Sequence, residues 1–252
     1  MNRRVRSRSL PSIDERITVA MISMNEEEAV GKVIGNIRAA LPAAEVVLVD
    51  SSDDRTPEIA RALGARVIRQ HPPRGYGRAM DLALRSNERE VVVTMDCDDT
   101  YPVDQIETLA RLVLEEGYDV VDGNRLRSKP AAMRTINYLG NWIFAMFASI
   151  LFFKRFRDLH SGMRAYKRGV PERLKYNLNG AAQPVHLLLL PHKSGMKVGF
   201  VDIAYRFRLG ESVMNPLETS LWTVRRIVTA RFRPIAPSMP SASSAKGRNR
   251  SR

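Results

Sequence analysis

Between residues 17 and 123 the chain alternates short β-branched and aliphatic runs with longer amphipathic stretches, and this rhythm constrains its fold more than any other feature. The runs at 17–23 (ITVAMIS), 45–50 (EVVLVD), 65–69 (ARVIR), 90–96 (EVVVTMD) and 118–123 (YDVVDG) are rich in Val, Ile and Leu, and each closes on polar or turn residues. Such runs read as strands buried in a parallel sheet. The stretches 26–40, 56–63, 77–86 and 103–116 carry apolar residues at helical spacing, with Asn25 and Pro102 standing where an N-cap and a pre-helix proline belong. Strand–helix alternation of this kind predicts an α/β fold, a mostly parallel sheet flanked by helices on both faces. Ligands then belong at the carboxyl ends of the strands.

After Gly123 the rhythm changes. A long apolar helix is expected at about 131–153, helical stretches at 170–176 and 183–194, a strand at 197–208 and a last helix at 216–232. The uncharged stretch 135–153 is long enough to span a bilayer. It also contains Asn137, Gly140 and Asn141, which favours a buried helix or one lying at an interface. There is no internal repeat, and 252 residues suit one α/β domain with appendages.

The formal charge of +13 invites nucleic acid or an anionic membrane as partner. Position changes that reading. Arg3, Arg4, Arg6 and Arg8, with Lys246, Arg248, Arg250 and Arg252, carry eight of these charges and leave +5 for residues 11–235. Residues 1–13 and 235–252 are rich in Arg, Ser and Pro and read as disordered basic tails. A single cysteine, Cys97, excludes an intrachain disulfide, and four scattered His give no zinc-type cluster, so a reducing, cytoplasmic setting is expected. Leu10 is followed by Pro11, Asp14, Glu15 and Arg16, not by the apolar region of a signal peptide.

Three strand ends carry carboxylates: Asp50 with Asp53 and Asp54, Asp96 with Asp98 and Asp99, and Asp122. Side chains alternate along an extended chain, so Asp96 and Asp98 point the same way and can converge on one cation. Mg²⁺ and Mn²⁺ take oxygen ligands and commonly share one or two carboxylates with substrate phosphates. The plain alternative is that turns are polar. Cys97, between the two, reads as an inward core residue.

Asp96-Cys97-Asp98-Asp99-Thr100 also resembles the nucleophile motif of the haloacid-dehalogenase phosphatases, whose first Asp is phosphorylated. That motif closes the first strand of its fold, whereas three strands precede it here. Asp96-x-Asp98-x-Thr100-Tyr101-Pro102 resembles instead the D-x-D motif of family 2 glycosyltransferases with the GT-A fold, in the branch of dolichol-phosphate mannosyltransferases and polyprenyl-phosphate glycosyltransferases. Other segments are similar to that family in the same order: Met24-Asn25-Glu26-Glu27, Val49-Asp50 through Thr56-Pro57-Glu58, Arg74-Gly75-Tyr76-Gly77-Arg78-Ala79, Gly123-Asn124-Arg125, Asp158 through Ala165, and Tyr205-x-x-Arg208-x-Gly210-Glu211-Ser212. The resemblance runs from about residue 17 to 231.

The resemblance implies a GT-A domain over 14–234, with a nucleotide-sugar half at 14–124 and an acceptor half at 125–234 containing interface or acceptor-side helices. It implies an inverting, metal-dependent transfer of a sugar from a GDP- or UDP-sugar to a polyprenyl or dolichyl phosphate, at the cytoplasmic side of a membrane touched peripherally. Asn25, Glu26, Asp50, Asp53, Arg74, Gly75, Gly77, Arg78 and Asp96 would bind the nucleotide sugar, with Asp54 the alternative to Asp53. Asp96 and Asp98 would hold Mg²⁺ or Mn²⁺. A helix N-terminus at Gly77 flanked by Arg74 and Arg78 suits a diphosphate. Asp98, Arg125 and Arg208 would act in catalysis, and Arg134, Ser161 and Arg208 would bind the acceptor; guanidinium forks suit phosphate oxygens. Met133, Ile136, Leu139, Ile143, Met146, Phe147 and Ile150 would form a membrane face rimmed by Lys154, Arg155 and Arg157, with a core helix as the alternative.

Three departures stand out. Met24 replaces an aromatic residue, Val213 replaces a lysine, and residues 181–186 (AAQPVH) lack the acidic residue usual before the apolar helix. His186 then reads either as a participant in its place or as a structural residue. Two rival functions remain: a soluble family 2 enzyme glycosylating a small-molecule acceptor, and a non-catalytic protein binding nucleic acid through its tails.

Overall fold

The computed structural model describes residues 11–210 and 215–233. The expected basic tails therefore lie outside the described residues except for 11–13, as do Glu211, Ser212 and Val213. A short 3-10 turn, Asp14–Arg16, leads into β1 (Ile17–Ser23), α1 (Glu27–Ala40), β2 (Glu45–Asp50), α2 (Thr56–Ala62), β3 (Arg66–Arg69), α3 (Tyr76–Arg85), β4 (Val91–Asp96), α4 (Gln105–Leu114) and β5 (Val120–Asn124). The second half runs α5 (Thr135–Phe152), β6 (Arg164–Lys167), α6 (Val170–Arg173), α7 (Gln183–Lys193), β7 (Val198–Asp202) and α8 (Pro216–Phe232).

Seven strands form one sheet in the order β3-β2-β1-β4-β6-β5-β7. All pairings are parallel except those of β6, which runs antiparallel to both β4 and β5. The chain therefore has the GT-A arrangement, a mostly parallel sheet flanked by helices. Helix α4 buries Ile106, Leu109, Ala110 and Val113, the i, i+3, i+4, i+7 stripe of an amphipathic helix, and with α1 it covers one face of the sheet. Helix α3 buries Ala79, Met80, Ala83 and Leu84 and covers the other face with α6. A third apolar cluster joins α5, α7 and α8 through Ala145, Ala148, Val185, Leu188, Leu189, Ile227 and Ala230. Asn215 caps α8 by accepting from Leu217 N at 3.1 Å and Glu218 N at 3.3 Å, with Pro216 at the first helical position.

Two elements depart from the sequence reading. Residues 155–167 carry no strand signal, yet 164–167 is β6, an interior strand between β4 and β5. Its four residues are too few to show alternation, and its first, Arg164, is buried because it pairs with Asp122 on β5. The strand expected over 197–208 ends at Asp202. Beyond it the chain leaves the sheet as an extended strap, tied by Ile203 N to Asn124 O at 2.9 Å, Arg206 N to Thr100 O at 2.9 Å and Leu209 N to Asp98 O at 3.0 Å. The strap carries Arg208 to the end of β4.

Candidate active site

The parallel register aligns the strand ends: Ser23 of β1 stands opposite Asp50 of β2, and Ile22 opposite Asp96 of β4. Asp50 is fully buried. Its Oδ1 accepts from Ser23 Oγ at 2.8 Å and Ser52 Oγ at 2.6 Å, and its Oδ2 is held by Arg69. The structure thus makes Asp50 the organiser of the loop after β2 instead of an open acceptor for a base. Asn25, in the left-handed region at φ 59°, accepts from Asp53 N at 2.9 Å and donates from its own N to Ser52 Oγ at 2.8 Å. Asp54 accepts from Thr56 N and Oγ1 and from Glu27 N, whereas the Asp53 side chain is 78% exposed. Of the two sequence candidates, Asp53 is the one open to a ligand.

At the end of β4, Asp98 and Glu26 converge on Arg208. Asp98 Oδ1 accepts from Thr100 N at 3.2 Å and Thr100 Oγ1 at 2.6 Å; its Oδ2 lies 3.2 Å from Arg208 Nη1, and Arg208 Nη2 donates to Glu26. Asp96 rests against Gly162 so closely that a Cβ there would stand 2.8 Å from its carboxylate. Burial, then the Asp98 charge, push Asp96 up to about 7 against the pull of Arg125 and Arg208. Glu26 also rises to about 7, first through burial, with Arg208 opposing and Asp98 and Asp96 adding. Carboxylates crowded in this way suit a divalent cation. Among the described residues no group of three His, Cys, Asp or Glu is arranged to hold a metal unaided. Asp96 and Asp98 are the carboxylates here that could share Mg²⁺ or Mn²⁺ with a diphosphate. Cys97 is buried, and burial pushes its thiol up, as suits a core residue.

Gly75 and Tyr76 open α3, with Arg74 and Arg78 exposed. Gly77 is required by close approach, since a Cβ there would meet Leu178 O at 2.4 Å. Arg78 donates to Asn179 Oδ1 at 3.0 Å, so loop 177–183 closes against this turn.

The structure does not leave all predicted residues open at the site. Arg125 is buried in a fork with Asp158, Nε to Oδ2 at 2.7 Å and Nη2 to Oδ1 at 3.0 Å, and lies 5.0 Å from the Tyr205 ring. Its guanidinium is committed to the fold, because an unpaired Asp158 at full burial would be costly. Ser161 is fully buried and its hydroxyl serves the backbone of Met163. Arg134 is exposed at the start of α5. His186 is structural: Nδ1 accepts from Arg226 Nη1 at 2.9 Å, and Nε2 faces Arg226 O and Thr229 Oγ1, each at 3.2 Å.

Sequence reasoning missed Lys32, whose Nζ lies 2.6 Å from Asp99, and Tyr101, whose hydroxyl accepts from Gly162 N at 2.7 Å. It also missed the Asp122–Arg164 pair. For Arg164 a signal existed, a lone arginine among Met163, Ala165 and Tyr166.

Residues 18–174 match the family model described as glycosyl transferase family 2. The chain belongs to that family. It is 43% identical over 201 residues to the dolichyl-phosphate hexose transferase of Haloferax volcanii, covering 79% of this chain and 87% of the relative. It is 25% identical over 217 residues to the undecaprenyl-phosphate mannosyltransferase of Micrococcus luteus, covering 79% and 88%. Among solved structures, the glucosyl-3-phosphoglycerate synthase of Mycobacterium tuberculosis in complex with Mn²⁺, UDP and glucosyl-3-phosphoglycerate superposes with a TM-score of 0.66 at 20% identity, over 90% of this chain and 87% of that one. The mannosyl-3-phosphoglycerate synthase of Rubrobacter xylanophilus gives 0.67 at 18%, over 86% and 74%. These likenesses agree with the fold seen here. The protein is a glycosyltransferase, and the phosphatase and non-catalytic readings fall away.

Proposed function

We propose that this protein transfers a hexose, with inversion, from a nucleotide diphosphate sugar to a polyprenyl phosphate at the cytoplasmic face of a membrane. One observation carries the lipid side of this reading: two helices with exposed apolar stripes meet at His160, two residues from the glycine on which Asp96 rests. Helix α5 exposes Ile136, Leu139, Trp142, Ile143, Met146 and Ile150, and α8 exposes Leu217, Leu221, Val224 and Val228. Both touch His160, through the Phe144 ring at 5.9 Å and Thr223 Oγ1 at 2.8 Å, and His160 is two residues from Gly162, on which Asp96 rests. Apolar surface of this extent beside cationic side chains is what a lipid interface selects. Helix α5 is also long and apolar enough to cross a membrane by length and composition. Its other side packs Phe144, Phe147 and Leu151 on the third apolar cluster, so Phe147, like the buried Met133, does not belong to the exposed face expected from the sequence, and this packing favours a helix lying on the surface. The names of the Haloferax and Micrococcus relatives support the same acceptor class.

Asp96 and Asp98 would hold Mg²⁺ or Mn²⁺ on the donor diphosphate; when bound, the ion neutralises charge on the leaving group. Asp53 and Asn25 would contact the nucleoside, and Arg74, Arg78 and the start of α3 the diphosphate. Arg208, 31% exposed, is the guanidinium at the cluster with room to meet the acceptor phosphate. A phosphate acceptor is already an oxyanion, so placement and charge neutralisation do most of the work. That explains how the site functions with no carboxylate at 181–186 and with His186 locked away from it.

Transfer of radiolabelled hexose from UDP- and GDP-sugars tests the reading. Label is expected in a polyprenyl phosphate, lost with EDTA and restored by Mn²⁺. Equal turnover without lipid, with saturable transfer to a soluble alcohol or to phosphoglycerate, would establish the small-molecule alternative instead.

A further inference from the structure

Helix α8 turns one arginine inward. Arg226 is 1% exposed and has no carboxylate partner among the described residues. Its Nε donates to Ala181 O at 2.6 Å, Nη1 to Asn177 O at 3.1 Å, and Nη2 to Asn179 O at 3.0 Å and Gly180 O at 3.2 Å. Taking a guanidinium out of water with only carbonyl dipoles and the His186 ring nitrogen to receive it is unfavourable unless nearly every donor is satisfied. Here the donors gather four carbonyls of one loop, so the arginine fixes the shape of residues 177–181.

That loop ends at the donor turn. Leu178 O occupies the space a side chain on Gly77 would fill, and Asn179 binds Arg78. The loop runs into Gln183, the first residue of α7, which is fully buried, with neither Oε1 nor Nε2 meeting a hydrogen-bond partner. Gln183 Oε1 lies 3.4 Å from the position of a Cβ on Gly77. A buried amide with nothing to bind is destabilising, and an apolar side chain of the same shape would be tolerated better. Its two donors and one acceptor match adjacent hydroxyl groups.

We propose that residues 177–183 form the wall of the donor site that reads the transferred sugar, with the Gln183 amide binding its hydroxyls and Arg226 as the positioning residue that holds the wall against Gly77. The hydroxyls meet the amide when donor binding reshapes the turn at 74–77. The inference rests on the assignment of that turn to the donor diphosphate.

The test is calorimetric titration of full-length parent, Gln183→Leu and Arg226→Lys with UDP, GDP, UDP-glucose and GDP-mannose in Mn²⁺, alongside melting temperatures. Gln183→Leu is expected to melt no lower than the parent and to bind the nucleotide diphosphate within twofold of it. Its affinity for the preferred nucleotide sugar should fall about tenfold. Arg226→Lys should weaken the nucleotide sugar more than the nucleotide and leave the acceptor KM unchanged. Because Gln183→Leu keeps the loop, it alone decides the proposal: parental affinity for the nucleotide sugar, or an equal loss for nucleotide and nucleotide sugar, overturns it. A parent that binds none of the four ligands overturns the donor assignment itself.

Discussion

Arg208 bridges Asp98 and Glu26, placing a positive charge on the one Asp98 oxygen that Thr100 does not engage. A divalent ion on Asp98 must therefore compete with this guanidinium, and the guanidinium it displaces becomes available to the acceptor phosphate. Arg208→Ala is expected to act in two directions: Mn²⁺ binds more tightly without substrate, and the acceptor KM rises at least tenfold, the scale of a charge-assisted hydrogen bond. Mn²⁺ titration followed by electron paramagnetic resonance, with acceptor kinetics, checks both. Unaltered acceptor kinetics would reject the phosphate role.

Asp98→Ala should remove transfer activity while leaving the fold largely in place, because the carboxylate sits at a strand end and Thr100, not the core, is its neutral partner. Circular dichroism with an activity assay measures this. Full activity in the variant would reject Asp98 as a metal ligand.

Arg125 and Asp158 form a different kind of pair, buried on both sides and joined by two parallel hydrogen bonds. Removing one partner strands the other charge. Arg125→Met should cost about 3–5 kcal/mol in urea unfolding, and adding Asp158→Leu should recover most of it. Stability close to parental in the single variant, with a large loss in acceptor affinity, would return Arg125 to the phosphate site.

The contrast between Arg125 and Arg208 shows what the sequence makes legible. Strand runs and helical spacing carry the sheet, and the carboxylates at 50, 96 and 98 follow from where those runs stop. Both arginines, however, sit in similar-looking polar segments. Which of them is used by the fold depends on Asp158, 33 residues beyond Arg125, and on the strap that leaves the sheet after Asp202. Such partners are set by tertiary packing, which local pattern does not record. Strand β6 was hidden for the same reason, its Arg164 being buried only because Asp122 faces it.

Burial holds His160 and His192 at about 4 and His186 at about 3, with Arg226 adding to the effect at His186. Each folded value lies below the unfolded one near 6.5, so below that pH the unfolded chain takes up protons the folded chain refuses, and stability falls. Glu26, Asp96 and Asp122, raised to about 7, 7 and 6, titrate in the same interval with the opposite sign, because there the folded state holds the protons. The two groups offset each other, and a single substitution exposes one of them. His186→Gln should gain about 2 kcal/mol on the parent between pH 7 and pH 5, from about 1.4 kcal/mol per pH unit below 6.5. Urea unfolding at the two pH values measures it, and parallel curves would show that His186 is not held neutral.

The apolar stripe of α5 gives the last prediction. Ile143 and Ile150 are exposed, 45% and 64%, so their replacement should leave the fold intact. Each side chain that leaves water for a lipid interface contributes up to about 1.5–3 kcal/mol. Ile143→Asp with Ile150→Asp removes two such contributions and adds two negative charges near Lys154, Arg155 and Arg157, the groups expected to meet anionic headgroups. Binding to phosphatidylglycerol vesicles, followed by sedimentation, should fall at least a hundredfold, while calorimetric affinity for the nucleotide sugar stays at the parental value. Sedimentation equal to the parent would assign the stripe to something other than a membrane, and a joint loss of vesicle and nucleotide-sugar binding would mean that α5 supports the donor site as well.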